Sequence, residues 1–424
     1  MHIGRKKAFR QLFRLIRAVE ADHEDLVSVR ELNLLALKEV LRAEQAILRH
    51  RETQRALKRQ LKTGRGSREA SAAIRVRLSR VASYIEAQED QIFIWKCFGD
   101  ALAYVYLDKF SIKHAFFETD DRGIKAAVGM LSGKDGLPQE ITILFGAIDN
   151  GVPAVLCDIT NTLRYGDVCL LGGSDPLLFE VKSNPKLNRR GKRQIAKLQK
   201  LHDFLETDSA SNFRGLTGIT KRVDLAVPER NHIDSLNDCI ARANRDGQCV
   251  VQPEPGVTYV AIYGKPDLDA VLSKGVGDAP TVFILNSDKN EHAWAPYTPF
   301  VLSIRDEVHL LDFIEGRLFL IVLIDAEVLC GAMRSDEWAV RYRPDHEYPI
   351  QCLHHPTKAY FGVSGQFFAR AAYEFASLAW IAKAHQPSLE HLKDMADNSF
   401  APADPIAQRR ALANLFGPDD EWAQ

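Results

Sequence analysis

Residues 166–184, GDVCLLGGSDPLLFEVKSN, constrain the fold more than any other stretch of the chain. Two strand-like runs, 167–173 and 177–183, flank the turn residues Gly-Ser-Asp-Pro, and so short a connection joins antiparallel neighbours. If Leu170 pairs with Leu177, the whole register is set, because side chains alternate between the two faces of a strand. The sequence therefore predicts a β-hairpin.

This register brings two carboxylates together. Asp167 would lie opposite Glu180 with Cβ atoms roughly 4.5–5.5 Å apart, where the two charges repel each other unless a cation lies between them. Lys182 would share the strand face of Glu180, while Phe179 and Val181 would fill the other face. The alternative is a solvated face on an antiparallel strand, which has the same alternation.

The chemistry of this face suits a divalent metal. Mg²⁺ is a hard cation that takes oxygen ligands and keeps several waters, and Mn²⁺ accepts the same ligands. Asp167 and Glu180 would hold the ion, and the backbone carbonyl of Val181 would add a ligand. Lys182 would orient and activate a water that attacks a phosphodiester, because a bound metal lowers the pKa of water and stabilises the developing charge.

The stretch resembles the motif of the PD-(D/E)XK nuclease superfamily, which has the restriction-endonuclease-like fold. Asp167, Glu180 and Lys182 match its three motif positions, and Gly166 stands where the family often has proline. The resemblance covers roughly residues 90–265. It implies an α/β (α+β) fold in which a mixed sheet is flanked by helices.

The resemblance also implies roles for the flanking helices. In the helix after the motif, Gln194 fits a position that often faces the site, and it is predicted to be catalytic. In the helix before it, Asp100 is the predicted additional metal ligand, with Glu86 and Glu89 as alternatives. Basic side chains next to the site would bind nucleic-acid phosphates, unless they form only a solvated face; they are Arg189, Arg190, Lys192, Arg193 and Lys197.

Three regions are predicted along the chain. Residues 1–89 would form a basic helical hairpin, residues 90–265 the nuclease-like core, and residues 266–424 a C-terminal α/β domain with a loosely ordered tail. The hairpin would turn at residues 63–67, TGRGS, where Ser67 can cap the second helix. Such a hairpin could support a homo-oligomer or bind a partner protein.

Hydrophobic patterning gives the remaining elements. Helices are predicted over residues 6–62, 68–89, 90–110, 188–206 and 365–385, with another ending at Gly247; strands are predicted over 141–149, 153–160, 222–227 and 257–264.

Charge is distributed unevenly along the chain. The whole chain of 424 residues has a net charge of −1, but residues 1–80 hold 20 Lys and Arg against 9 Asp and Glu. A basic arm on an acidic body indicates an anionic partner such as nucleic acid, and a charged helix pair that only stays soluble is the alternative.

Other sequence features exclude several classes of protein. The seven cysteines are scattered without a C-x-x-C pair, which argues against a zinc ribbon or disulfide scaffold and favours a reducing cytoplasm. No apolar stretch is long enough to span a bilayer. No Walker-type phosphate loop is present, and the adjacent histidines of CLHHP, residues 352–356, are interpreted as structural.

These features predict a Mg²⁺-dependent endonuclease that cleaves DNA, and the resemblance points to defence against phage or foreign DNA. One alternative is a catalytically inactive nuclease-fold subunit that binds nucleic acid or assembles a complex. Another is an RNA-cleaving effector, because DNA and RNA offer the metal the same phosphodiester.

Overall fold

Long helices begin the chain, and shorter helices alternate with antiparallel strands after them. The computed structural model describes residues 3–63, 67–127, 129–181, 189–216, 218–223, 225, 227–264, 280–356, 358–399 and 422. The helices are α1 (Ile3–Ala21), α2 (Leu26–Lys62), α3 (Arg68–Tyr106), α4 (Lys109–Ile112), α5 (Leu137–Asp149), α6 (Arg189–Thr207), α7 (Ile233–Asp246), α8 (Phe300–Ser303), α9 (Glu307–Glu315), α10 (Ala326–Met333), α11 (Gly365–Phe368), α12 (Arg370–Tyr373) and α13 (Leu378–Ser399). The strands are β1 (Ala154–Leu156), β2 (Val168–Leu170), β3 (Leu177–Phe179), β4 (Ser209–Ser211), β5 (Ile219–Lys221), β6 (Gln248–Glu254), β7 (Val257–Tyr263), β8 (Thr281–Ile284), β9 (Leu318–Ile324), β10 (Trp338–Tyr342), β11 (Ile350–His354) and β12 (Tyr360–Val363). This mixture of helices and small antiparallel sheets is an α+β architecture. The predicted mixed sheet is not found among the described residues, where the strands pair antiparallel.

Two units make up the chain, and each consists of two separate stretches of sequence. The first combines residues 1–223 with 287–315, and the second combines 224–286 with 316–424. These boundaries differ from the predicted ones at residues 89 and 265. The difference arises because residues 287–315 pack into the first unit, where Thr162 Oγ1 donates a hydrogen bond to the carbonyl of Ala295 at 2.6 Å.

The N-terminal helices follow the predicted pattern, with two differences. The predicted helix over 6–62 is interrupted near Asp25, whose side chain accepts from Ser28 N–H at 3.0 Å and caps α2. Ser67 caps α3 as predicted, accepting from Ala70 N–H at 3.2 Å. The helices predicted over 68–89 and 90–110 are the single helix α3.

Residues 141–149 form most of helix α5, so the strand predicted there is wrong. β-branched residues in ITILFGAID favour a strand in isolation. Pro138 at the start of the helix favours α5 instead. The buried residues Glu140, Leu144 and Ile148 recur every four positions, which gives the helix one inward face.

A three-stranded antiparallel sheet in the order β1-β2-β3 follows α5, and helix α6 comes after it. The first of these strands is shorter than predicted, since residues 157–159 turn into a 3₁₀ helix. The basic helix predicted over 188–206 is confirmed as α6. The order is therefore helix, three strands, helix.

The second unit contains an antiparallel sheet in the order β6-β7-β9-β8. Its core includes Val260, Ile262, Ile321 and Leu323 from the two central strands. The predicted strand at 257–264 and the helix ending at Gly247 are confirmed. Of the strand predicted over 222–227, residues 222, 223, 225 and 227 are not in a strand, and the others lie outside the described residues.

The helix predicted over 365–385 is divided into α11, α12 and the start of α13. Phe375 has a φ of +57°, a value that a continuous right-handed helix cannot contain. Ser377 then begins α13, since its Oγ accepts from Trp380 N–H at 3.2 Å. The predicted loosely ordered tail lies outside the described residues, apart from the end of α13 and Trp422.

The seven cysteines are all buried free thiols. Among the described residues, no helix has both the length and the apolar content needed to cross a bilayer.

Candidate active site

The β2–β3 hairpin has the predicted register. Leu170 pairs with Leu177, and Val168 pairs with Phe179. Beyond this pair the backbone shifts by one residue, because Asp167 N–H donates to the carbonyl of Phe179 at 2.7 Å. The strand faces differ from the prediction, since Phe179 is 42% exposed while Leu178 is fully buried.

Gly166 makes this shift possible. Its φ is +70°, and a Cβ at this position would lie 2.8 Å from the carbonyl oxygen of Phe179. Proline, which the family motif often has at this position, is limited to a φ near −65°. The departure from the family pattern is therefore required by the backbone.

Asp167 and Glu180 line one cavity of about 490 Å³ in the first unit. The side chain of Asp167 is held in place by the hairpin, because its Oδ2 accepts from the N–H of Val181 at 2.8 Å. Its Oδ1 accepts from the ammonium of Lys134 at 2.8 Å. The hairpin thus brings the two predicted carboxylates to the same space.

Lys134 holds three carboxylates together. Besides Asp167, its Nζ lies 2.7 Å from Asp158 Oδ2 and 3.0 Å from Glu140 Oε1. The three acids come from three places in the chain: the first turn of α5, the 3₁₀ turn after β1, and the residue just before β2. We call Glu140, Asp158 and Asp167 the acidic cluster.

Burial and ion pairing compete in this cluster. Burial raises the pKa of both Asp158 and Glu140, and the hydrogen bond from Lys134 opposes the rise in each case. Burial would lower the pKa of Lys134, but its hydrogen bonds to Asp158 and Asp167 raise it above the ordinary value. Lys134 therefore stays charged, and with all three acids ionised the group carries two negative charges in excess.

The acidic cluster has the donor chemistry of a site for a hard cation. Asp158 Oδ1 and Glu140 Oε2 are both buried and accept no hydrogen bond from a described residue. Carboxylate oxygens are the ligands that Mg²⁺ prefers. Within the described residues, however, no three His, Cys, Asp or Glu side chains are arranged as a metal-holding group, and the centre of the cluster is filled by the ammonium of Lys134.

Helix α6 also lines the cavity. Gln194, Arg193 and Lys197 line it together with Asp167 and Glu180, as the sequence predicted for that helix. Lys197 is engaged with acidic residues, at 2.6 Å from Glu118 and 3.5 Å from Asp120. Because Lys197 is already paired with these acids, it is less available to bind a phosphate than the sequence alone indicates.

Of the remaining predicted basic residues, two have side chains that the structure describes. Arg189 and Lys192 are exposed and do not line the cavity. The side chain of Arg190 and the whole of Lys182 lie outside the described residues. The predicted catalytic role of Lys182 therefore stays a prediction.

Asp100 does not reach the cavity. It is buried in α3, and its carboxylate accepts from the N–H groups of Asn161 and Thr162 at 2.9 Å each. The side-chain amide of Asn161 adds a third hydrogen bond at 2.7 Å. Asp100 thus anchors the loop after β1, and the acidic residue that a preceding helix brings to the site is Glu140. The alternatives Glu86 and Glu89 are exposed on α3 and also do not line the cavity.

The histidines His114, His354 and His355 lie outside the lining of the cavity. His354 is buried and His355 is exposed, so the adjacent pair does not converge on one point. His114 packs against Phe204 with ring centres 5.0 Å apart, and burial lowers its pKa well below the ordinary value. It is a neutral core residue.

Sequence reasoning missed three residues of the site: Lys134, Glu140 and Asp158. A usable signal was present for Glu140, because an acid in the first turn of a helix starting at Leu137-Pro138 is a recognisable pattern. Asp158 and Lys134 lie in a 3₁₀ turn and a loop, where no periodicity marks them.

No protein-family model, no curated protein and no solved structure matches this chain.

Proposed function

We propose that the protein is a Mg²⁺-dependent endonuclease of restriction-endonuclease-like fold that cleaves DNA. The observation that carries the proposal is one cavity whose lining includes Asp167 and Glu180 from the hairpin and Gln194 and Arg193 from α6. The order helix, three antiparallel strands, helix supports the fold. A cavity lined by carboxylates together with cationic side chains suits a substrate that is a polyanion and a reaction that develops further negative charge.

Each group of the site has its own role in the proposed reaction. Glu180 and the acidic cluster would hold the cation, and the carbonyl of Val181 would add an oxygen ligand. When bound, the cation lowers the pKa of a water and stabilises charge on the phosphate. Gln194 and Lys182 orient the attacking water, and Arg193 binds a phosphate of the substrate. Defence against phage or foreign DNA is proposed by analogy with the family alone.

Lys134 gives a specific reason to keep a second candidate. A lysine that already pairs with three carboxylates can replace a divalent cation permanently, which would leave a nuclease fold without catalysis. The protein would then be a nucleic-acid-binding or assembly subunit. This candidate and the first differ in what removal of the Lys134 ammonium does.

A cleavage panel tests the proposal. Supercoiled plasmid, linear duplex, single-stranded DNA and RNA are incubated with Mg²⁺, Mn²⁺ or EDTA, and the full-length wild type is compared with Asp167→Asn and Lys182→Ala. Matched controls are Asp203→Asn and Lys221→Ala, which change the same residue types at exposed positions on α6 and β5. The expected result is metal-dependent DNA cleavage that falls at least 10²-fold in the two site variants and not in the controls, since loss of general acid–base or charge-stabilising groups costs about that much.

The other outcomes separate the candidates. Cleavage of RNA alone favours the RNA-cleaving effector. Binding without cleavage in wild type, and unchanged binding in Asp167→Asn, favours the inactive subunit. Cleavage that persists in both site variants would show that the proposed site is not the catalytic site.

A further inference from the structure

The far half of the α2–α3 hairpin is held by pairing of the two helices alone. Between residues 49 and 62 of α2 the only buried side chain is Leu57, and α3 has none before Phe93. Partly buried residues on α2 recur at spacings of three and four, at His50, Gln54 and Leu61 around Leu57. This is the spacing of a helix that buries one narrow stripe against a single partner helix.

Cations dominate the surface of this arm. Residues 49–80 hold eleven Lys and Arg against two acidic residues. On α2, four exposed cations lie on one side of the helix at positions i, i+3, i+4 and i+7, namely Arg55, Lys58, Arg59 and Lys62. We call these four residues the basic face.

The basic face has no counter-charge among the residues that the structure describes. None of its four side chains makes an ion pair with any residue that the structure describes. Arg51, one turn before, differs because it lies 3.1 Å from Glu89 of α3. Like charges four residues apart on a helix destabilise it, and two such pairs occur here, Arg55 with Arg59 and Lys58 with Lys62. The helix pair needs none of them, because Leu57 and its neighbours hold it together.

We propose that the basic face binds the phosphate backbone of duplex DNA without reading its sequence. The choice of DNA rests on the proposed function, while the polyanionic partner follows from the arm itself. Seven residues of helix span about 10 Å, and duplex DNA presents one negative charge per about 1.7 Å of its axis. The row of cations thus faces several phosphates at once.

The composition of this part of α2 favours a duplex over a single strand. Proteins that hold single strands stack bases on aromatic side chains, and residues 49–63 contain no Phe, Tyr or Trp. The aromatic residue opposite, Tyr84 of α3, is already stacked on His50 with ring centres 5.4 Å apart. Contacts to the backbone are then all that the basic face offers.

Binding is measured by fluorescence anisotropy with the full-length Asp167→Asn protein, so that cleavage does not interfere. Two unrelated 30-base-pair DNA duplexes, a duplex RNA and a single strand are titrated at several salt concentrations. The test variant replaces the basic face, with Arg55→Gln, Lys58→Gln, Arg59→Gln and Lys62→Gln. The control removes the same charge from four exposed cations elsewhere, with Lys221→Gln, Arg242→Gln, Arg245→Gln and Lys383→Gln.

We expect both DNA duplexes to bind equally well and more tightly than the single strand or the duplex RNA. In the test variant binding should weaken roughly tenfold or more, and the slope of log K against log salt should fall by about 3 to 4, since each phosphate contact contributes about 0.9. A charge-preserving variant with Arg and Lys exchanged at the four positions should retain the wild-type slope. Circular dichroism checks that the helices persist.

An equal loss in the control, tighter binding to the single strand or the duplex RNA, or an unchanged slope in the test variant would overturn the inference. A test variant that changes its oligomeric state but still binds DNA as the wild type does would also overturn the inference. The proposed function is tested separately. If the wild-type protein shows no metal-dependent cleavage, the proposed function is wrong, but the salt slope still decides whether the basic face binds a polyanion.

Discussion

At the scale of single residues, the acidic cluster depends on Lys134. Its ammonium lies within 3.0 Å of one oxygen from each of three carboxylates. Two of those acids, Glu140 and Asp158, are only 2% exposed. Buried charges that lose their partner destabilise a fold strongly, so a cation is needed at this point in every folded state with ionised acids.

Replacement of Lys134 by methionine should therefore have opposite effects on stability and on metal binding. Without divalent ions we expect the free energy of unfolding to fall by on the order of 3 kcal/mol. Mn²⁺ affinity, measured by calorimetry, should rise about tenfold or more, because the competing ammonium is gone. Lys200→Met is the control, since Lys200 pairs with Asp120 at 3.1 Å outside the lining of the cavity.

Two results would contradict this. Weaker Mn²⁺ binding in the variant would mean that Lys134 supports the metal-bound state. Absence of Mn²⁺ binding in both proteins would favour the inactive subunit.

Asp100 should make stability depend on pH. Burial outweighs its hydrogen bonds and raises its pKa from 3.8 to about 6. The folded protein then binds more protons than the unfolded chain between these values. Its contribution to stability is fully present below pH 3.8 and is lost as pH rises through about 6, an effect of about 3 kcal/mol.

Urea unfolding between pH 4 and 7 measures this contribution. The difference in unfolding free energy between wild type and Asp100→Asn should decline across that window, whereas the difference for the exposed Asp203→Asn should stay flat. A flat difference for Asp100→Asn as well would show that the carboxyl titrates normally.

At the scale of elements, the hairpin β2–β3 depends on Gly166. The added methyl group of Gly166→Ala would meet the Phe179 carbonyl at 2.8 Å in a backbone with φ of +70°, which should cost about 2 kcal/mol. Gly173→Ala is the matched control, because a Cβ there has nothing within 4 Å. Thermal unfolding of both variants checks the prediction, and an equal effect of the two would show that Gly166 is not under constraint.

Local patterns account for what the sequence could predict of the site. The turn residues after Gly173 are local, so the register of β2 and β3 could be predicted, and with it a hairpin that brings Asp167 and Glu180 to one cavity. The alternation along β3 predicted the wrong buried face, since Leu178 and not Phe179 is buried. Helix α6 was recognisable from its own periodicity, and it brings Gln194 to the cavity. Asp158 and Lys134 meet only because α5 packs on the sheet and a loop folds back, and these long-range contacts leave no periodic trace.

The incorrect prediction for helix α5 explains why Asp100 was predicted as the additional metal ligand. Its β-branched residues predicted a strand, so no helix remained directly before β1, and Asp100 of α3 was the nearest buried acid in a helix. Residues 141–149 are helical instead, and the buried face of this helix carries Glu140.

At the scale of the whole molecule, the first unit needs residues 287–315. Trp294, Phe300 and Phe313 are at most 2% exposed there, and burial of each such side chain contributes about 1.5–3 kcal/mol. A chain ending at residue 265 lacks all three, while a chain ending at residue 315 keeps every segment of the unit. The shorter chain should lose cooperative thermal unfolding and bind a hydrophobic dye, and the longer one should keep a transition. Equal behaviour of the two would contradict the division into units.

The segment 287–315 also lies between β8 and β9, which are antiparallel neighbours in the sheet of the second unit. A ribosome that adds about 5–20 residues per second takes roughly 5–18 s from residue 223 to residue 315. For that time the helices α1 to α3 are complete but lack the aromatic side chains that close their unit. Newly made chains thus pass through an interval with exposed apolar surface, in which chaperones have a target and proteases have access.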